Sequence, residues 1–147
     1  MFQAALPFTA ALILSVAASA GFSSNALAAD KVVYHIDDAA NQATKALRNI
    51  RNHLDVAPDT TIVVVTHADG VDFLLEDAKD PKNPNIDYAS LVSALKARNV
   101  RFEVCEITLT NRNLKRSQFN LDAEFTPSGV VQITRLQTRE GYGYIKP

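Results

Sequence analysis

The chain has 147 residues, of which 16 are acidic and 15 are Lys or Arg, so its formal net charge is −1. It lacks the basic surplus of nucleic-acid-binding domains, and we expect no nucleic-acid partner. With one cysteine, three histidines and neither a Cys-x-x-Cys nor a Gly-rich nucleotide motif, we expect no metal site and no organic cofactor.

The first 28 residues predict an export signal. They contain no charged side chain, residues 4–20 are rich in Ala, Leu and Ile, and Ala26-Leu27-Ala28 supplies a small-x-small cleavage site. We therefore expect a signal peptide over 1–28, cleavage before Ala29, a periplasmic location, and no membrane association afterwards. An uncleaved anchor is the alternative, but Pro7 interrupts the apolar run, which is short for a membrane span.

The next residues predict a strand, a helix and a second strand. Residues 31–37 form a nearly continuous apolar, β-branched run, which is typical of a strand covered on both faces. Asp37 or Asp38 is expected to cap a helix whose apolar positions from Ala43 to Leu54 recur at helical spacing. Residues 60–66 then predict a buried strand, and together the three elements form a right-handed βαβ unit.

The rest of the chain continues this alternation. We expect a short helix at 71–75, an exposed polar loop at 80–85, a helix from Asp87 to Asn99 and a strand at 100–105. A helix capped by Thr108 or Thr110 should then run to Phe119. It should be followed by an extended piece at 123–126, a helix after Pro127 and a strand at 142–145. This order predicts one three-layer α/β domain over 29–147, with a mostly parallel sheet of about five strands.

Polar and reactive side chains follow several predicted strands. Asp37, Thr66, His67, Asp69 and Cys105 all lie at carboxyl ends of strands. Ligands of parallel sheets bind at this edge, so the convergence predicts a site. Adjacent capping residues produce similar clusters without any function, and that interpretation stays open.

Cys105 is the only cysteine and stands where a strand passes into a helix. Helix N–H groups and nearby positive charge, including Arg112, would favour the thiolate. The alternative is a small buried apolar residue. Of the histidines, His35 is expected in the core and His53 on the solvated face of a helix.

Four segments carry a family resemblance: K-V-V-Y-H-I-D at 31–37, V-V-V-T-H-A-D-G at 63–70, V-x-F-x-V-C-E-I-T-L at 100–109 and G-Y-G-Y-I-K-P at 141–147. In this order, over nearly all of 29–147, they resemble the DsrE/DsrF-like family of small sulfur-metabolism proteins, in particular its exported or stand-alone branch. The resemblance implies a flavodoxin-like sheet, a homotrimer or homohexamer, and a cysteine that carries sulfur as a persulfide.

That role would fall on Cys105, while His67 and Gly70 match the neighbouring His-x-x-Gly turn. With the rim residues, the expected site contains Cys105 as the nucleophile and a binding set of Asp37, His67, Asp69, Gly70, Thr108 and Arg112. Its partners would be small sulfur compounds or a sulfur donor or acceptor protein, and turnover as a sulfurtransferase stays open. The alternative function is a non-catalytic, homo-oligomeric binding or assembly protein of the cell envelope with a structural cysteine.

Two positions depart from the family pattern. Ala68 stands where a second glycine or a proline is expected, and Ile107 stands where a polar residue, often Asn, is common. Both departures imply weaker binding of a polar ligand beside the thiol. For self-association, residues 73–75 and the group Tyr142, Tyr144 and Ile145 are expected to leave apolar surface.

Overall fold

A five-stranded parallel sheet forms the centre of the fold. The computed structural model describes Met1 and residues 29–147, so the predicted signal peptide, apart from its first residue, lies outside the described residues. The elements in chain order are β1 (Lys31–Asp38), α1 (Ala39–Val56), β2 (Thr61–Asp69), β3 (Lys79–Asp80), β4 (Asn83–Asp87), α2 (Tyr88–Lys96), β5 (Arg101–Cys105), α3 (Glu106–Arg112), β6 (Ala123–Thr126), α4 (Gly129–Glu140) and β7 (Gly143–Ile145). Short 3-10 turns occupy Asp72–Leu74 and Arg116–Gln118.

The sheet has the strand order β6-β5-β2-β1-β7, and each pair of neighbours runs parallel. The prediction of a mostly parallel, flavodoxin-like α/β sheet of about five strands is therefore confirmed. The central strands are buried on both faces, as the apolar run predicts: Val63, Val64 and Val65 are all fully buried. β1 and β2 are joined by the amphipathic α1, whose N-cap is Asp38: its carboxylate accepts the Asn41 N–H at 3.2 Å.

The two faces of the sheet have separate cores. The larger core packs α1, α2 and α3 against one face through residues such as Leu47, Val92 and Leu109. The smaller core packs α4 against the other face and consists of Val33, Val63, Val65, Ile133, Leu136 and Tyr142. Burial of these apolar side chains supplies most of the stabilisation of the fold.

This division of the helices creates a crevice at the carboxyl edge of the sheet. β5 and β6 are neighbours, yet α3 follows β5 onto one face and α4 follows β6 onto the other. Adjacent strands whose following helices diverge leave an opening between the two helix N-termini, where α/β proteins bind ligands. Cys105 is the last residue of β5 and therefore lies at this opening.

Two segments differ from the predicted elements. The predicted polar loop at 80–85 belongs instead to an antiparallel hairpin, in which Lys79 pairs with Asp87. The predicted helix after the cysteine begins earlier, at Glu106, and Cys105 itself is the N-cap residue, so neither Thr108 nor Thr110 caps it. It also ends earlier, because Asn113 adopts a left-handed conformation (φ 53°) that terminates the helix.

The apolar surface predicted for residues 73–75 is also wrong. Phe73 is 1% exposed and Leu74 is fully buried, since the 3-10 turn inserts them into the larger core, where the Phe73 ring contacts that of Tyr88. Of the terminal group, only Tyr144 is exposed. Within the described part of the chain, no helix combines the length and the apolar character that a membrane span requires.

Candidate functional site

Cys105 lies at the floor of a small cleft on the carboxyl edge of the sheet. The residue is only 4% exposed, and the cleft has a volume of about 320 Å³. The walls come from three segments: the end of β2 with His67 and Ala68, the first turns of α3, and the start of α4 with Ser128 and Val130. The thiol therefore has a route to a small molecule between the two diverging helices.

The amide and hydroxyl groups of both helices influence the Cys105 sulfur. The N–H groups of Ile107 and Thr108 in α3, the Gly129 N–H of α4 and the Thr108 hydroxyl all lower the pKa of the thiol. The Cys105 side chain makes no capping hydrogen bond to α3. Each of these donors favours the negatively charged sulfur, and the positive ends of both helix dipoles add to the effect. The surroundings of the sulfur are thus polar, although the residue is nearly buried.

These contacts set the protonation of the thiol. Burial by itself raises the pKa of Cys105, because it disfavours the charged form. The donor groups of Gly129, Thr108 and Ile107 together outweigh burial, so the pKa lies below the ordinary value of a cysteine. Cys105 is thereby a better source of thiolate at neutral pH than an unperturbed cysteine.

The close approach of α4 to the cysteine depends on Gly129. A Cβ at this position would lie 3.2 Å from His67 Cβ and 3.3 Å from Cys105 Cβ, which is tighter than nearly all observed contacts. Ser128 precedes it as the N-cap of α4, and its side chain accepts the Val131 N–H. A residue without a side chain therefore allows the first amide of α4 to reach the sulfur.

Thr108 connects the thiol to the end of β2. Its hydroxyl accepts the Ala68 N–H at 3.0 Å and lowers the pKa of the Cys105 thiol. Ala68 has a left-handed backbone (φ 49°), for which glycine, one of the two residues expected at this position, is suited and proline is not. The turn is held nonetheless, because the Arg112 guanidinium donates to the Ala68 carbonyl at 3.1 Å.

The remaining contacts of Arg112 are with carboxylates. Its guanidinium pairs with Asp72 at 2.7 Å and approaches Asp69 at 3.7 Å. Arg112 also lines the cleft, but its three partners lie in the last residues of β2 and just after that strand, so its described contacts brace the cleft wall. The Asp69 side chain is 80% exposed, and its contact among the described residues is this ion pair.

Gly70 is required by the packing of β2 against β1. A Cβ on Gly70 would lie 2.1 Å from the Ile36 carbonyl oxygen and 2.7 Å from the Asp37 Cα, closer than any side chain permits. The β1–β2 ladder is irregular at this point, between Ile36 and Asp38. Such irregularities redirect side chains at sheet edges, and here the affected residue is Asp37.

His35 was expected in the core, but it is only half-buried and lies against a second histidine. Its Nε2 lies 2.7 Å from the Nε2 of His67, so the two rings share a hydrogen bond. Its Nδ1 lies 2.7 Å from the Tyr144 hydroxyl. His67 thus lines the cysteine cleft on one side and forms part of a histidine cluster on the other.

Asp37 adds a carboxylate to the histidine cluster. It accepts the Gln42 side-chain amide at 2.9 Å and pairs with Lys146. The hydrogen bond from Lys146 lowers the pKa of Asp37 to about 2. Burial lowers the pKa of His35 to about 4 and also lowers that of His67, so both imidazoles are neutral at neutral pH. A neutral His67 can accept a proton at the cleft wall.

The structure therefore divides the predicted residues between two adjacent groups. Cys105, Thr108, His67 and Arg112 line the cleft, Asp37 and Gly70 lie at the neighbouring end of β1, and Asp69 is exposed. Sequence reasoning missed His35, Tyr144 and Gly129. The alternation of β1 could have indicated His35, because it shares a face with Asp37, whereas the role of Gly129 depends on where α4 crosses the sheet.

A larger groove of about 640 Å³ lies between α1 and α2, away from the cysteine. It is lined by apolar residues such as Leu47, Ile86 and Leu91, with arginines Arg48, Arg51 and Arg98 among its other residues. None of its lining residues is a nucleophilic cysteine or a histidine. Volume alone would favour this groove as the functional site, but the reactive groups of the described residues favour the smaller cleft.

Comparisons with known proteins agree with this architecture. The model of the DsrE/DsrF-like family matches residues 3–147. A structure of a protein of unknown function, MTH1491 from Methanobacterium thermoautotrophicum, is 31% identical with a TM-score of 0.71, over 80% of this chain and 99% of that one. The ychN protein from E. coli shares the fold at 14% identity and a TM-score of 0.67, over 80% of this chain and 99% of that one. A search of curated proteins found no match.

Proposed function

This chain belongs to the DsrE/DsrF-like family, which is generally linked to sulfur relay, and from this premise we propose that it carries sulfane sulfur as a persulfide on Cys105. The observation that carries the proposal is the position of Cys105 at the floor of a cleft between the N-termini of two helices, whose donor groups favour the thiolate. These donors lower the pKa of the thiol and would equally stabilise the anion of a persulfide.

The proposed step is a thiolate–disulfide type exchange that needs no metal or organic cofactor. The Cys105 thiolate attacks the terminal sulfur of an inorganic polysulfide or of a persulfide. A bond forms between the Cys105 sulfur and that atom, the donor S–S bond breaks, and the shortened polysulfide or thiolate leaves with the electron pair. The charge is conserved and no external oxidant is required. Attack by an acceptor thiolate on the outer sulfur returns Cys105 to its starting form.

The dimensions of the site favour a small donor. The cleft of about 320 Å³ admits an inorganic polysulfide or a low-molecular-weight persulfide, whereas a donor protein would have to present its sulfur on a protruding segment. His67 is neutral and lies in the wall, where it can accept the proton of a protonated donor or acceptor. Thr108 and Gly129 position the sulfur and are not themselves changed by the reaction.

We further propose that the mature protein acts in the periplasm as a homotrimer or homohexamer. The apolar side chains around the cleft support self-association: Ile107, Val130 and Val131 are 52%, 61% and 63% exposed, respectively. Ile107 and Val130 also line the cleft itself. A neighbouring subunit that covers these side chains would enclose the cysteine, and exclusion of water from the site would protect a bound persulfide.

A second candidate function is a non-catalytic, homo-oligomeric binding or assembly protein of the cell envelope. The low exposure of Cys105, 4%, is the observation that favours it, because buried cysteines are commonly small core residues. In this case the amides beside the sulfur would be no more than the first N–H groups of two helices.

Alkylation separates the two functions. The purified protein is treated with iodoacetamide at neutral pH, with and without denaturant, and the modified fraction is followed by intact mass. A sulfur carrier reacts in the native state, at a rate comparable to or above that of an unstructured cysteine peptide. If the native protein stays unmodified until denaturant is added, the sulfur-carrier function is overturned and the structural role is supported.

A further inference from the structure

The histidine cluster beside the cleft has the composition of a metal site. His35, His67 and Asp37 each offer one ligand atom, and these atoms all lie within 4.8 Å of one another. The residues stand at the carboxyl ends of the adjacent strands β1 and β2, and all three side chains are partly exposed. The proposed sulfur chemistry uses only His67 of the three.

Neighbouring side chains orient two of the three ligand groups. The Tyr144 hydroxyl lies 2.7 Å from the His35 Nδ1, which leaves the Nε2 of this ring directed toward His67. The Gln42 amide donates to the Asp37 carboxylate at 2.9 Å. Hydrogen bonds to the second ring nitrogen and to a ligating carboxylate are the usual outer contacts of protein metal sites.

A metal ion can take the place of the proton that the two imidazoles share. At 2.7 Å the two Nε2 atoms share one proton, so each ring directs either a lone pair or an N–H at the same point. A cation with bonds of about 2.0–2.1 Å to each nitrogen would replace that proton and separate the two atoms to roughly 3.3 Å. Small side-chain rotations achieve this separation, because both rings are only half-buried.

We propose that His35, His67 and Asp37 form a binding site for a divalent metal ion of the Zn²⁺ class. Two imidazole nitrogens and one carboxylate oxygen are a ligand set that Zn²⁺ accepts, and three protein ligands leave a fourth position for water or another small ligand. Binding moves the shared imidazole proton to the Nδ1 atom of the same ring and releases Lys146 from Asp37, so Lys146 competes with the metal. The sequence predicted no metal site, because it contains no ligand residues at a suitable spacing along the chain. The three ligands proposed here come instead from two different strands.

The test uses untagged, chelator-treated protein. Co²⁺ is titrated as a probe, and its visible absorption reports the coordination geometry, while the Zn²⁺ affinity is measured by competition with a chromogenic chelator. We expect one equivalent of Zn²⁺ to bind and to displace Co²⁺. His35→Gln, His67→Gln and Asp37→Asn should each weaken binding by at least tenfold. Tyr144→Phe should weaken it by roughly 10–100-fold through the orientation of His35.

Two controls, together with the Tyr144→Phe variant, decide the interpretation. His53→Gln removes the remaining histidine of the chain, which contacts Tyr34 rather than the cluster, and should leave metal binding unchanged. Cys105→Ser should also leave it unchanged, which separates this site from capture by the thiolate. Tyr144 is exposed, so Tyr144→Phe tests the site without disturbing the central strands. The proposal is overturned if the wild type binds no metal below millimolar concentrations, if His35→Gln and His67→Gln bind as the wild type does, or if Cys105→Ser abolishes binding.

Discussion

The position that a Gly129 Cβ would occupy lies 3.3 Å from the Cys105 Cβ, and the Gly129 N–H lowers the pKa of the Cys105 thiol. The two facts have one cause: α4 starts in contact with the end of β5. A helix that approached less closely could not bring an amide to the sulfur, and any side chain at residue 129 would hold the helix away.

Gly129→Ala tests this relationship. The added methyl group contacts His67, Cys105 and the Thr66 carbonyl oxygen at 3.2–3.3 Å, so α4 must shift by a few tenths of an ångström. We expect a loss of about 1–3 kcal/mol in the free energy of unfolding, together with slower alkylation of Cys105 at neutral pH. Denaturant unfolding and iodoacetamide kinetics measure the two effects.

Gly143→Ala is the matched control, because its new Cβ would lie at an ordinary 3.7 Å from the Lys31 carbonyl oxygen. It should leave the alkylation rate unchanged. An unchanged alkylation rate in Gly129→Ala would show that the α4 amide does not contribute to the reactivity of the thiol.

Thr108 should govern the pH dependence of the cysteine. The thiolate is the reacting form, so the alkylation rate rises with pH through the pKa, and the lowered pKa of Cys105 displaces this rise to lower pH than in a cysteine peptide. Thr108→Val removes a hydroxyl donor to the anion, and hydrogen bonds to charged groups contribute about 1.5–3 kcal/mol. We expect the pH–rate midpoint to move upward and the rate at neutral pH to fall roughly tenfold.

Thr108→Ser restores the hydroxyl and is the comparison for that variant. It should keep the midpoint close to that of the wild type. If the valine and serine variants titrate alike, the side-chain hydrogen bond has no role in the acidity of Cys105.

Ala68 provides a prediction about strain beside the site. Its left-handed backbone (φ 49°) costs an L-amino acid roughly 1–2 kcal/mol, whereas the extra backbone entropy of glycine costs about 0.5–1 kcal/mol. Ala68→Gly should therefore raise the free energy of unfolding by up to about 1 kcal/mol in a denaturant titration. Ala97→Gly, at an exposed position with φ −62°, should lower it. A lower free energy of unfolding for Ala68→Gly would contradict backbone strain at Ala68.

Val131 tests self-association without altering the cleft lining. It is 63% exposed near the start of α4, where an acidic side chain is compatible with the helix dipole. Val131→Glu should convert the oligomer to monomer in light scattering after size-exclusion chromatography. Leu121→Glu, at an exposed site in the segment before β6, should leave the mass unchanged. A monomeric wild type, or an oligomer that tolerates Val131→Glu, would contradict the proposed interface.

Local patterns in the sequence were sufficient for most of the fold. The apolar runs predicted β1 and β2, the helical spacing predicted α1, and the alternation of Phe102 and Val104 placed Cys105 at the end of a strand. The hairpin of β3 and β4 was not predicted, because its residues have no period-two pattern and β4 begins with Asn83-Pro84-Asn85.

The remaining features of the site depend on how elements pack. The contact of Gly129 with Cys105 follows from the crossing of α4 over the opposite face of the sheet, which no local pattern specifies. The pairing of His35 with His67 follows from the register of β1 on β2, in which His35 lies opposite Val65. Each histidine could be identified in the sequence, but the contact between them could not be predicted from it.

The central claim is that the Cys105 thiolate accepts sulfane sulfur. The most direct test is intact and peptide mass spectrometry of the native protein after brief incubation with inorganic polysulfide and removal of the excess. We predict a mass increase of one sulfur atom, mapped to the peptide that contains Cys105, reversed by a thiol reductant and absent in Cys105→Ser. A native protein that gains no sulfur at Cys105, although it is folded and the same peptide reacts after denaturation, would contradict the account.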